Sequence, residues 1–145
     1  LPAAPDDNSA LLTEVKLCEI SDVRRTRRRE WAKRNHVRKA HDRGRYGELD
    51  AAEMAAFRVL IGELGYEDAA LVWPDVRPRL ADVGIEERLF ALVNLQLKAA
   101  VVVKDPREVG DLVLAGHPFR VVQLTEAVRE VRLAYRRIRN ARASR

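Results

Sequence analysis

The stretch ERLFALVNLQLKAAVVVKD, Glu87 to Asp105, is the most apolar part of the chain, and its reading decides the fold. Three structures compete for it: a membrane span, a buried helix, or a surface offered to a partner. A spanning helix needs about 20 mostly apolar residues to cross about 30 Å of hydrocarbon. The run from Leu89 to Val103 is shorter, and Asn94, Gln96 and Lys98 interrupt it. A lysine at the bilayer centre costs roughly 2.5 kcal/mol or more, so a span is excluded. Wound as a helix, the stretch puts Ile85, Leu89, Leu92, Val93, Gln96 and Ala100 on one side. Phe90, Leu97 and Val101 fall on a neighbouring side. Two apolar sides predict a helix packed centrally or against two bodies. Its end, Val101-Val102-Val103, favours an extended exit, because β-branched side chains lose χ1 freedom in a helix.

The flanks carry their own signals. Glu86 and Glu87 suit the acidic first turn of that helix, which begins after Asp82. Downstream, Asp105 as N-cap, Pro106 at the first helical position, Glu108 two further on and Gly116 as a stop predict a short helix. Pro118 then opens PFRVVQLTEAVREVRLAYRRIRN, where Val121, Leu124, Val128, Val131, Tyr135 and Ile138 make a helical stripe. Upstream, Asp50 begins DAAEMAAFRVLIGELG, with Glu53 at the capping-box position and Gly65 as left-handed stop. The segment YEDAALVWP is expected to be irregular, since Pro74 and Pro78 disfavour a long helix. Nearer the N-terminus, LPAAPDDNSA reads as an extended tail, and Leu11 to Ile20 as a short amphipathic helix. Ser21 or Asp22 caps the next segment, DVRRTRRREWAKRNHVRKAHDR, which GRYG ends. No alternating strand pattern emerges. The expected fold class is all-α: several short helices with irregular connections, plus a basic N-terminal helical extension.

Charge divides the chain further. Between Arg24 and Arg45 stand eleven Lys/Arg and two acids. From Arg129 to Arg145 there are seven arginines and one acid, whereas Tyr46 to Val128 holds eight bases against fourteen acids. The net charge of +5 therefore hides two basic segments around an acidic middle, which implies two contacts with anionic partners. The expected division is residues 1–48 as a basic partner-binding arm and residues 49–145 as a helical domain. Within the arm, Arg24, Arg25, Arg27, Arg28, Arg29, Lys33 and Arg34 are the candidate contacts to a polyanion, with Trp31 available to a base.

Motifs of catalysis are missing from the sequence. His36 and His41 lie five apart, off one helical face, and the single Cys18 is distant, so no zinc ligand set forms. His117 precedes Pro118 and reads as a turn residue. No phosphate-binding glycine loop, H-E-x-x-H or C-x-x-C is present. No cofactor is expected and no enzyme activity. The lone cysteine fits a reducing compartment.

From Gly65 onward an ordered set of features stands out: Gly65-Tyr66-Glu67-Asp68, Asp75-Val76 with Arg79-Leu80, Glu87-Arg88, Leu92 to Ala99, Asp105-Pro106, and HPFRVVQLTEAVREVR. This order resembles the small matrix-facing subunit seven of mitochondrial ubiquinol–cytochrome c reductase, respiratory complex III. The best single match is Asn94-Leu95-Gln96-Leu97-Lys98. Where that family has Leu-Pro this chain has Asp82-Val83-Gly84, and its usual histidine is Ala99. The resemblance implies a non-catalytic subunit, peripheral on the matrix side of the inner mitochondrial membrane, that stabilises cytochrome b and the core proteins. It implies subunit contacts through Tyr66, Trp73, Leu80, Phe90, Leu95, Leu97, Phe119 and Leu124, with the basic arm near anionic lipid headgroups. The competing expectation is a mitochondrial ribosomal protein that binds rRNA through its arginine-rich segments.

Overall fold

In the computed structural model, residues 11–39, 44–114, 116 and 118–144 are described, with side chains throughout except at 112–114. The expected tail LPAAPDDNSA, His41 and His117 lie outside these residues. The elements in chain order are α1 (Glu14–Ser21), α2 (Arg25–Lys33), α3 (Glu48–Leu64), α4 (Tyr66–Val76) with a 3₁₀ extension (Arg77–Asp82), β1 (Phe90–Asn94), β2 (Ala99–Val103), α5 (Pro106–Leu114), β3 (Arg120–Gln123) and α6 (Thr125–Ala143). Contacts group the chain into two compact units. One is Leu1–Ala55 with Val128–Arg145, and the other is Ala56–Ala127.

The all-α expectation is wrong, and the stretch that decided it is where it fails. Phe90 to Val103 is an antiparallel hairpin, with Phe90 opposite Val103 and Asn94 opposite Ala99. A third strand pairs on the other side of β1, Ala91 opposite Val122, which gives the order β2-β1-β3. As the central strand, β1 buries both faces: Ala91, Leu92, Val93 and Asn94 are all inside. A strand buried on both faces loses its alternation and reads as a continuous apolar run, which periodicity alone does not separate from a core helix.

The turn settles the matter locally. Asn94 Oδ1 accepts from the backbone N–H of Gln96 and of Leu97, both at 3.1 Å, and Lys98 takes the left-handed conformation at φ 52°. Asparagine closes such turns by replacing a backbone acceptor with its own side chain. The polar residues that interrupted the apolar run are therefore the reversal of the chain. The extended reading of Val101 to Val103 agrees with β2.

The same shift applies at Pro118. Val121 and Val122 lie in β3, and the helix starts only at Thr125. Thr125 Oγ1 accepts from Leu89 N–H at 2.9 Å and donates to Leu89 C=O at 3.3 Å, while Leu124 N–H donates to the same carbonyl at 2.9 Å. These bonds tie the start of α6 to the entry of β1. Of the expected stripe, Leu124, Val128, Val131 and Tyr135 are buried, and Val121 is exposed in β3.

Two further elements differ from expectation. Tyr66–Val76 is helical, with Pro74 inside its last turn, so only one i→i−4 bond is lost before the chain tightens into the 3₁₀ segment. Glu86 and Glu87 do not open a helix; Glu87 Oε1 accepts from Gly84 N–H at 2.7 Å and Glu87 Oε2 pairs with Lys104 at 3.2 Å. In contrast, α3 begins close to its expected start. Asp50 Oδ2 accepts from Gly47 N–H at 2.8 Å, so the carboxylate that reaches back over the start of the helix is Asp50 and not Glu53. Gly65 stops α3 at φ 85°. At α5, Asp105 Oδ1 accepts from Arg107 N–H at 2.9 Å, as the N-cap assignment requires.

Candidate polyanion-binding surface

The arginine-rich segment does not form the long helix its composition suggests. Asp22 (φ 56°) ends α1, and Asn35 (φ 64°) ends α2, each in the left-handed region. In each case the next residue donates back five positions: Val23 N–H to Cys18 C=O at 3.1 Å, and His36 N–H to Trp31 C=O at 2.9 Å. This is the helix stop that Asn and Asp tolerate better than most residues. Helix α2 is consequently limited to Arg25–Lys33.

Within it the basic residues divide sharply. Arg28 is buried, 6% exposed, and its guanidinium is fully engaged. Its Nε donates to Glu14 Oε2 at 2.8 Å, its Nη2 pairs with the same oxygen at 2.7 Å, and its Cζ lies 5.1 Å from the Tyr46 ring centroid. Arg29 closes on the other oxygen of Glu14 at 2.7 Å. Arg38 also stands 6.0 Å from the Tyr46 centroid and forms a fork on Asp50, with Nε to Oδ1 at 2.9 Å and Nη2 on Oδ2. The buried Tyr46 ring thus has two guanidinium groups within 6.0 Å of its centroid, and its backbone bridges Leu12 through two bonds of 2.8 Å. Cation–π contact favours this arrangement where water is excluded.

The electrostatics follow from the packing. The Arg29 hydrogen bond, aided by Arg28 and opposed by burial, holds the Glu14 carboxyl below its usual range. Burial pushes the Tyr46 phenol up, and it likewise raises the Cys18 thiol, which makes that sulfur a poor nucleophile.

What remains for a partner is a subset of the expected residues. Arg24, Arg25, Arg27 and Lys33 are exposed and form no ion pair among the described residues. Arg34 pairs with Glu30 at 3.3 Å, both side chains more than half exposed, a contact worth little in water. Trp31 is 2% exposed and belongs to the core, so it does not present a ring to a base. Glu48 of α3 holds Arg136 of α6 at 2.8 Å and Arg132 at 3.6 Å, whereas Arg137 and Arg139 of α6 face solvent without an ion pair among the described residues.

The expected subunit contacts also separate. Trp73, Leu80 and Leu124 are core residues; Trp73 packs 4.8 Å from Phe57, and Tyr66 meets Phe57 edge-on at 6.3 Å. Phe90 and Phe119 are half-buried. Leu97, 75% exposed, and Leu95 lie at the hairpin turn and face solvent.

Sequence reading missed Glu14, Arg38, Tyr46, Glu48 and Asp50. Asp50 was marked only as a helix start and nothing local marks the others, because the ion pairs and ring contacts that give these residues their roles include partners at least ten residues away. It also treated the two basic segments as separate, whereas both fall in one compact unit. That unit carries nineteen Lys/Arg against eleven Asp/Glu, a net +8. The unit Ala56–Ala127 carries eight against eleven, a net −3, and the two account for the +5 of the chain. Among the described residues no helix is long and apolar enough to cross a membrane. No protein-family model matches the chain, and no curated protein matches its sequence.

Proposed function

We propose that the chain is a non-catalytic binding protein that docks its basic unit on RNA. The observation that supports this reading is the gathering of both arginine-rich segments into a single unit of net +8, next in sequence to one of net −3. Exposed guanidinium groups contact phosphates and release condensed counterions, which makes the binding strong at low salt and tolerant of sequence. With Trp31 buried, base stacking on it does not contribute, so recognition is of backbone and shape.

The test is the salt dependence of affinity for a single-stranded RNA, read by fluorescence anisotropy. Replacing Arg24, Arg25 and Arg27 together by alanine should lower the slope of log K against log[salt] by about 2. An unchanged slope would remove these arginines from the interface.

A second reading keeps the protein as a peripheral, matrix-side subunit of respiratory complex III. It is supported by Leu95 and Leu97, the exposed apolar pair within the motif that best resembles that family. Against it, the motif that carries the resemblance lies in a hairpin and not in the helix expected of Glu87 to Asp105. Purification in mild detergent from native membranes separates the readings: stoichiometric b- and c-type haem bands support the complex III subunit, and co-purifying rRNA without haem supports RNA binding.

A further inference from the structure

The C-terminal turn of α6 and Leu11 enclose an open cleft of about 380 Å³ in the basic unit, lined by Leu11, Arg139, Asn140, Arg142 and Ala143. That volume falls within the range of small-molecule sites. Its walls are set before any ligand arrives. Arg142 Nη1 donates to Leu11 C=O at 2.9 Å, and the Leu11 backbone also hydrogen-bonds the buried Tyr135 phenol. Asn140 C=O is already taken by Ser144, through its N–H at 3.1 Å and its Oγ at 2.9 Å. Among the described residues no acidic residue lines the cleft and Arg139 forms no ion pair. The cleft therefore presents two guanidinium groups and an amide side chain, with Leu11 and Ala143 as an apolar wall.

We propose that this cleft binds a phosphate monoester. Arg139 is the free fork for the phosphoryl oxygens, and Arg142, anchored by its other nitrogen, completes the positive wall. Guanidinium groups match phosphate geometry by paired N–H donors. The opposing field is small: a helix C-terminus carries roughly −0.5 elementary charge, against two full positive charges here. A dianion gains more from this site than the single charge of a backbone phosphodiester. The apolar wall leaves room for the sugar or base that carries the phosphate. The same chemistry comes from two sources, a terminal phosphate of a nucleic acid or a free nucleotide. Only the first of these rests on the RNA reading above.

The experiment uses the full chain and three probes: AMP, a 5′-phosphorylated RNA oligonucleotide and the same oligonucleotide with a 5′-hydroxyl. AMP is measured by calorimetry and the oligonucleotides by anisotropy at one salt concentration. The expected result is that AMP binds, or that the 5′-phosphate strengthens oligonucleotide binding, and that Arg139→Ala weakens the effect about tenfold. Arg139→Lys should recover part of it, since the charge stays and the fork is lost. The Arg24, Arg25 and Arg27 triple variant should leave AMP binding intact. Binding of AMP alone assigns the site to a free nucleotide; a 5′-phosphate effect alone assigns it to a nucleic-acid end. No AMP binding together with equal affinity for the two oligonucleotides overturns the phosphate site while leaving the RNA reading standing. An Arg139→Ala chain with unchanged thermal unfolding but undiminished AMP affinity also overturns it.

Discussion

At the scale of single residues, Arg28 is the clearest case of a side chain whose sequence context misleads. It stands in a run of arginines that suggests solvent or a polyanion, yet it is buried against Glu14 and Tyr46. Replacing it with methionine leaves the half-buried Glu14 with Arg29 alone and should cost about 2–3 kcal/mol. Urea unfolding would read this as a lower midpoint at constant slope. Arg27, exposed although next in sequence to Arg28, should change stability by less than about 0.5 kcal/mol on replacement with alanine. Glu14 adds a pH dependence. Its folded pKa lies below the ordinary 4.5, so its contribution is complete above that value and is lost as the pH falls through the folded pKa. Glu14→Gln should therefore flatten the loss of stability below pH 4.5, measured by thermal melts across the acid range.

At the scale of elements, the hairpin carries the fold, and its turn can be tested from both sides. Asn94→Ala removes two side-chain to backbone hydrogen bonds, at 3.1 Å each, and should destabilise the protein by about 1–2 kcal/mol. Lys98→Gly relieves the left-handed backbone at φ 52° and should stabilise by up to about 1 kcal/mol. Were the stretch helical, glycine at that position would instead cost about 1 kcal/mol, so the sign of one substitution separates the two structures. Calorimetric melting temperatures would decide it. The elements read correctly from sequence are those with local punctuation. Gly65 ends α3 and the Asp105-Pro106 pair opens α5, because caps and breakers act within a turn of themselves. Of the strands only the end of β2, Val101 to Val103, was legible, since β1 is buried on both faces and β3 is only Arg120–Gln123.

At the scale of the whole molecule, charge is organised by compact unit and not by position along the chain. The arginines of α6 belong to the same unit as the block from Arg24 to Arg45, so they should serve the same partner. Arg137→Gln is expected to lower the salt slope of RNA binding by about 0.7, as each lost phosphate contact does on a single strand. If the two basic segments served unrelated partners, this substitution would leave the slope unchanged. The candidate surface was thus half visible beforehand. Arg24, Arg25, Arg27 and Lys33 are exposed as composition suggested, while Arg28 and Trp31 were withdrawn into the core by contacts with Glu14 and Tyr46 and by burial.

By itself, the sequence determined that Leu89 to Val103 does not span a membrane, that helices stop at Gly65 and begin at Asp105, and that basicity is clustered. These properties depend on composition, length and bonds within one turn, all of which are local. Only the tertiary structure decided that the apolar stretch is a hairpin and that a third strand completes its sheet. The same is true of the division of the arginines between core and solvent. Strand pairing joins Ala91 to Val122, and the carboxylate that pairs with Arg28 comes from Glu14 in a different helix. Such partners are fixed by contacts between distant segments, and no window on the chain contains both.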